Sequence, residues 1–183
     1  MKSSIVNACL LAAGLGIGLA GVANAQQPAA PAAPAQNPLD VIPDKMPFAI
    51  PYGAPIALER AQGLIGTAVA EANKRGWAMN VAVVDSGGNL VAFGRMDGAA
   101  LASIQIAEHK ARTAVRFRRP TKVFEDGLQK GIVYLATLDD VIASRGGFPL
   151  IEDGKLIGAI GCSGGTGSQD EATCSVAAAV INK

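Results

Sequence analysis

The sequence predicts an α/β domain of the α+β type: a five-stranded antiparallel sheet flanked by helices, in the order α-ββ-αα-βββ-α. Three observations carry this reading. Apolar residues recur at intervals of three and four across residues 55–75 and 99–117, the period of helices with one buried face. Apolar runs of four to seven residues lie between them, too short for helices of their own. Successive runs are joined by Asp85-Ser86-Gly87-Gly88-Asn89 and by Asp153-Gly154, tight turns that only antiparallel neighbours can use.

The first helix, 55–75, places Leu58, Ala61, Leu64, Ile65, Ala68, Val69 and Ala72 on one stripe, with Pro55 suited to a first turn and Gly76 to a stop. Residues 79–84 and 90–93 form the first hairpin. A second helix over 99–117 ends before Pro120. A third, over 121–135, is broken near Gly127 or Gly131. Val141-Ile142-Ala143 then reads as a strand, followed by Gly146-Gly147 and a hairpin of 148–151 with 156–162. A glycine-rich turn over 163–167 leads to the last helix, where Ser168 and Glu171 have capping-box spacing.

Ahead of this domain, residues 1–25 read as a cleavable secretory signal. Lys2 precedes an uncharged apolar run from Ala8 to Val22, and Ala23-Asn24-Ala25 is an A-x-A cleavage site. The run is shorter than the roughly 20 residues of a membrane span. The expected location is periplasmic or secreted, with no membrane span after cleavage. Residues 26–54 are an Ala/Pro-rich flexible linker able to hold only short extended pieces, and 55–183 is the folded domain. The chain has 16 basic and 15 acidic residues; losing Lys2 leaves 15 against 15, a balance that speaks against nucleic acid as a partner. Cys9 leaves with the signal. Cys162 and Cys174 either bridge in an oxidising compartment or sit as small apolar core residues.

On the second helix, 100° per residue puts Ile104, Ala107, Ala111, Ala114 and Val115 on the core face. His109, the one histidine, falls on the opposite side with Arg112, Thr113 and Arg116. Imidazole ligates iron, and guanidinium groups pair with carboxylates such as haem propionates. Arg118, Arg119 and Lys122 prolong the positive stretch. The plainer reading is a solvated or oligomer-facing helix side. At the glycine-rich turn, the backbone N–H groups of Ser163, Gly164, Gly165 and Thr166 precede a helix and could hold an anion, opposed by Asp170 and Glu171. Gly161-Cys162-Ser163-Gly164-Gly165 matches the hydrolase pattern G-x-S-x-G, but the sole histidine precedes the serine and the strands are antiparallel. Arg95 and Asp97 could pair with each other or frame a pocket. One histidine and two distant cysteines do not make a zinc set.

Several motifs occur in one order: Val81-Ala82-Val83-Val84-Asp85, Gly88-Asn89-Leu90-Val91-Ala92-Phe93, Arg95-Met96-Asp97-Gly98-Ala99, Lys110-Ala111-Arg112-Thr113-Ala114, Gly146-Gly147-Phe148-Pro149-Leu150, Gly158-Ala159-Ile160-Gly161, Ser163-Gly164-Gly165-Thr166 and Gln169-Asp170. Over 55–183 the chain resembles the haem-binding, haem-degrading GlcG/HbpS-like family, related to the C-terminal domain of PduO corrinoid adenosyltransferase. The resemblance implies a profilin-like or PAS-like sheet, homo-oligomers and haem as cofactor. Thr113 matches a family motif position, whereas His109 departs from the small or neutral residue usual there. Met79, Met96, Tyr52 and Tyr134 are the weaker ligand candidates. The implied function is an exported haem-binding protein with haem-degrading or iron-sequestering activity. The alternatives are an accessory or assembly subunit of a periplasmic redox enzyme and a binder of small organic acids.

Overall fold

The computed structural model describes residues 41–182; the expected signal peptide, Cys9 and the greater part of the linker lie outside them. The elements are α1 (Leu58–Lys74), β1 (Asn80–Asp85), β2 (Leu90–Arg95), α2 (Ala102–Arg116), α3 (Lys122–Gln129), a 3₁₀ turn (Val133–Thr137), β3 (Gly147–Glu152), β4 (Lys155–Ser163) and α4 (Gly167–Ala178). The strands form one antiparallel sheet in the order β2-β1-β4-β3. No helix of the described residues is long and apolar enough to cross a membrane.

Strand alternation sorts the core into two halves. Val81 and Val83 of β1, with Ile160 and Cys162 of β4, face α1 and α4, meeting Ala61, Leu64, Ala68, Cys174 and Ala177. Ala82 and Val84, with Leu156 and Ala159, face α2 and meet Ala107, Ala111, Ala114 and Val115. The small residues let α2 lie unusually close. A Cβ on Gly161 of β4 would overlap the Ala107 carbonyl oxygen and the Ala111 nitrogen.

The sheet has four strands where five were expected. Val141-Ile142-Ala143 is not a strand. Its place would be the outer edge of β3, which is closed to it. Pro149 has no N–H to donate there. The Asn182 side chain accepts from Ile151 N (2.7 Å) and donates to the Pro149 carbonyl (2.8 Å). The 141–143 segment crosses α2 instead, with Ile142 N donating to the Thr113 hydroxyl (3.1 Å).

Three helix starts also differ, α2 beginning at Ala102 rather than Ala99. Before α1, Ile56 N donates to the Ile157 carbonyl (2.9 Å) and Ala57 is extended, so Pro55 lies ahead of the helix. At α4 the cap is Thr166, not Ser168. Its hydroxyl accepts from Gln169 N while the Gln169 side chain accepts from Thr166 N, a reciprocal capping box. Glu171, the expected box partner, pairs with Arg145 (3.3 Å). Packing also begins before Pro55. Residues 51–53 run beside the start of β4, with Leu156 N donating to the Pro51 carbonyl and Gly53 N to the Leu156 carbonyl, both at 2.8 Å.

Cys162 and Cys174 are disulfide-bonded and fully buried, fastening α4 to the central strand β4. Arg145 anchors the segment after the 3₁₀ turn, donating to Glu125 of α3 (2.8 Å) as well as to Glu171.

Both ties can be tested through stability. Cys174→Ala releases a bridge spanning 12 residues and should lower the unfolding free energy by about 2–4 kcal/mol in urea titrations; an unchanged midpoint would refute the tie. The hydrogen bond from Arg145 holds the Glu125 carboxyl below its ordinary value of 4.5. A depressed folded value stabilises the fold above pH 4.5, and that contribution is lost as pH falls through it. Glu125→Gln should therefore cost about 1–2 kcal/mol at pH 7 and progressively less below pH 4.5. A difference that stays constant with pH would refute the pairing.

Candidate functional site

The expected α2 face is only partly open. His109 is half-buried and makes no hydrogen bond among the described residues. Arg112 is half-buried and pairs with Glu108 one turn earlier at 3.3 Å, a loose surface pair that a ligand carboxylate can displace. Arg116 is exposed and pairs with Asp140. Thr113, expected on the open side, is fully buried. Its hydroxyl donates to the Asp140 carbonyl (2.7 Å) and accepts from Ile142 N, so residues 140–142 lie over it. The structure thus brings His109 and Arg112 together at the surface and turns Thr113 into the fastening point of the overlying segment.

The positive stretch beyond α2 is likewise engaged. Arg118 lies 5.6 Å over Tyr52 and donates to the Ile50 carbonyl (3.2 Å). Arg119 stacks on Phe48 at 3.5 Å and on Phe124 at 5.4 Å, and burial lowers its pKa. Lys122 pairs with Asp126 at 2.6 Å.

The glycine-rich turn already holds its anion. Gly164 N and Gly165 N donate to one oxygen of Asp170, at 3.1 and 3.0 Å. The other Asp170 oxygen accepts from Lys110 Nζ at 2.6 Å. Both side chains are buried, 1% and 4% exposed. Ser163 is buried at the end of β4, and Thr166 is occupied as the α4 cap. Lys110 of α2 and Asp170 of α4 thus hold Gly164 and Gly165 in one buried construction, and the turn is not an open anion site.

Sequence reasoning assigned no role to Lys110, and it read Asp170 only as weakening an anion site. The signal was present: Lys110 stands three residues after Ala107 and four before Ala114, inside the apolar stripe. A lysine there must be paired. Gly146 and Gly147 belong to the same construction. A Cβ on Gly146 would lie 2.8 Å from the Asp170 Cβ and 3.2 Å from Lys110 Nζ, and one on Gly147 would press on the Lys110 carbonyl.

Among the described residues, the better-formed surface cavities, of about 170 to 560 Å³, are not lined by His109. The donor set nonetheless fits haem approached at the α2 surface. An uncommitted imidazole is available to iron, and the neighbouring Arg112 guanidinium is available to a propionate.

Comparison with known proteins gives a consistent picture. A family model described as "Haem degrading protein HbpS-like" matches residues 56–179. Protein GlcG of Escherichia coli K12 is 39% identical over 128 residues, covering 70% of this chain and 96% of GlcG. The crystal structure of a double mutant of Streptomyces reticuli HbpS superposes with a TM-score of 0.65 at 31% identity, over 81% of this chain and 99% of that one. The crystal structure of a PduOC:heme complex superposes with a TM-score of 0.64 at 32% identity, over 70% and 96%.

Removing one member of the buried pair strands the other. Asp170→Ala should destabilise the fold by about 3–5 kcal/mol. Added formate or acetate should restore part of the loss by entering the vacated cradle. A thermal midpoint within a degree or so of wild type would contradict this.

Proposed function

We propose, from the premise that this chain belongs to the HbpS-like family of haem-degrading proteins, that it is an exported haem-binding protein with haem-degrading or iron-sequestering activity. The observation that carries the reading is His109: the one imidazole of the chain, half-buried on α2 without an internal partner, with a displaceable guanidinium one turn on. His109 would supply a nitrogen to the iron and Arg112 would orient a propionate. Haem held there brings the one-electron and peroxide chemistry of its iron. The α2 surface offers one face to a flat macrocycle, so a second copy of the chain would cover the other in a homo-oligomer.

Export is supported by the leader pattern of residues 1–25 and by the buried Cys162–Cys174 bridge, since disulfides persist outside the reducing cytosol. The small-organic-acid reading at the glycine-rich turn receives no such support, because Asp170 already occupies its N–H groups.

The chain expressed with its own leader should be recovered outside the cytosol beginning at Gln26, by intact mass. Hemin should give it a Soret band. His109→Ala should weaken hemin binding more than tenfold, about 1.4 kcal/mol or more, Arg112→Gln less, and Lys130→Ala not at all. Peroxide should then bleach the band with release of chelatable iron. Absence of any spectral change at about 10 μM hemin would overturn the reading, since the affinity would then be weaker than about −7 kcal/mol.

A further inference from the structure

The charged residues Arg95 and Asp97 stand outside the haem reading. Arg95 is the last residue of the edge strand β2, opposite Asn80 of β1. The chain then turns sharply, with Ala99 N donating to the Met96 carbonyl at 3.1 Å and Gly98 at φ +79°. Met96 is fixed in this turn. Its N–H donates to the Met79 carbonyl (3.0 Å), and its sulfur accepts from Met79 N (3.4 Å). The turn and the second half of α1 border an open surface cavity of about 380 Å³ lined by Val69, Asn73, Gly94, Arg95, Met96 and Asp97. Gly94 leaves its wall bare, because a Cβ there would run into Ile65 of α1.

Arg95 and Asp97 have opposite charges two residues apart and line one cavity, yet they are paired neither with each other nor with any other side chain among the described residues. Most other arginines of the fold have an acidic partner or an aromatic face. The Asn73 side chain likewise has no hydrogen-bond partner among the described residues, and it sits in the last turn of α1, where the helix dipole favours a cation. Met96 and Val69 supply an apolar surface between the polar groups. A volume of about 380 Å³ is at the small end of ligand pockets.

We propose that this cavity is a binding site for a small zwitterion carrying a carboxylate and an ammonium group, a free α-amino acid with an apolar side chain. Arg95 takes the carboxylate, and Asp97, with the carbonyl of the Asn73 side chain, takes the ammonium. Met96 and Val69 take the side chain. A ligand of this kind meets both charges at once, which a simple acid or amine cannot do.

Calorimetry on the full chain tests this with leucine, with 4-methylvalerate, which lacks the ammonium, and with isoamylamine, which lacks the carboxylate. Leucine should bind at least about tenfold more tightly than either. Arg95→Gln should abolish binding of both leucine and 4-methylvalerate. Asp97→Asn should remove the preference for leucine while sparing the acid. His109→Ala should bind leucine like wild type, which separates this site from the haem reading. Both cavity residues are exposed, and an unchanged thermal midpoint confirms that the variants fold. Flat heats with leucine to about 10 mM, equal affinity for all three compounds, or wild-type binding by Arg95→Gln would overturn the proposal.

Discussion

The contact between Lys110 and Asp170 organises more of this molecule than any other. An ammonium and a carboxylate at 2.6 Å, both removed from water, join α2 on one side of the sheet to α4 on the other. The geometry around them follows from the need to leave no buried charge or lone pair unanswered. Asp170 accepts the two N–H groups of the glycine-rich turn with its second oxygen, which fixes the path from β4 into α4. Gly146 and Gly147 lack side chains where the ion pair and the Lys110 carbonyl require the space. A hydrophobic pair at these positions could bury as much surface, but it would not orient the turn.

Close packing is the second constraint. Alanines and glycines between α2 and β4 bring backbone against backbone, leaving little room for a ligand within that layer. Open surface with uncommitted polar groups is therefore left at the rims: the outer side of α2, where His109 stands, and the edge strand β2, where Arg95 and Asp97 line a cavity. The disulfide ties α4 to β4, and Arg145 joins α3 to α4 through Glu125 and Glu171, which gives the rims a fixed scaffold.

Thr113 shows how a motif residue can be misread from periodicity alone. On a helical wheel it belongs with His109 and Arg116. In the fold the 140–142 segment covers it and takes both hydrogen bonds of its hydroxyl, while Asp140 reaches on to Arg116. Helical spacing tells which residues share a side of the helix, and has no means of telling what later segment lies across that side.

Local pattern alone determined the helices, the two hairpins and the alanine stripe of α2, because each depends on residues within one turn or one strand of each other. The family followed from motifs in order. Tertiary structure decided the rest. The fifth strand was lost because Pro149 and the distant Asn182 closed the β3 edge. The α4 cap moved to Thr166, where Gln169 could answer it, while Glu171 was drawn to Arg145. The two cysteines, open to either reading in sequence, became a bridge once β4 and α4 were packed together. Lys110 looked like one charge among many until a carboxylate 60 residues away met it in the core. Each of these depends on a partner far along the chain, which spacing and composition do not specify.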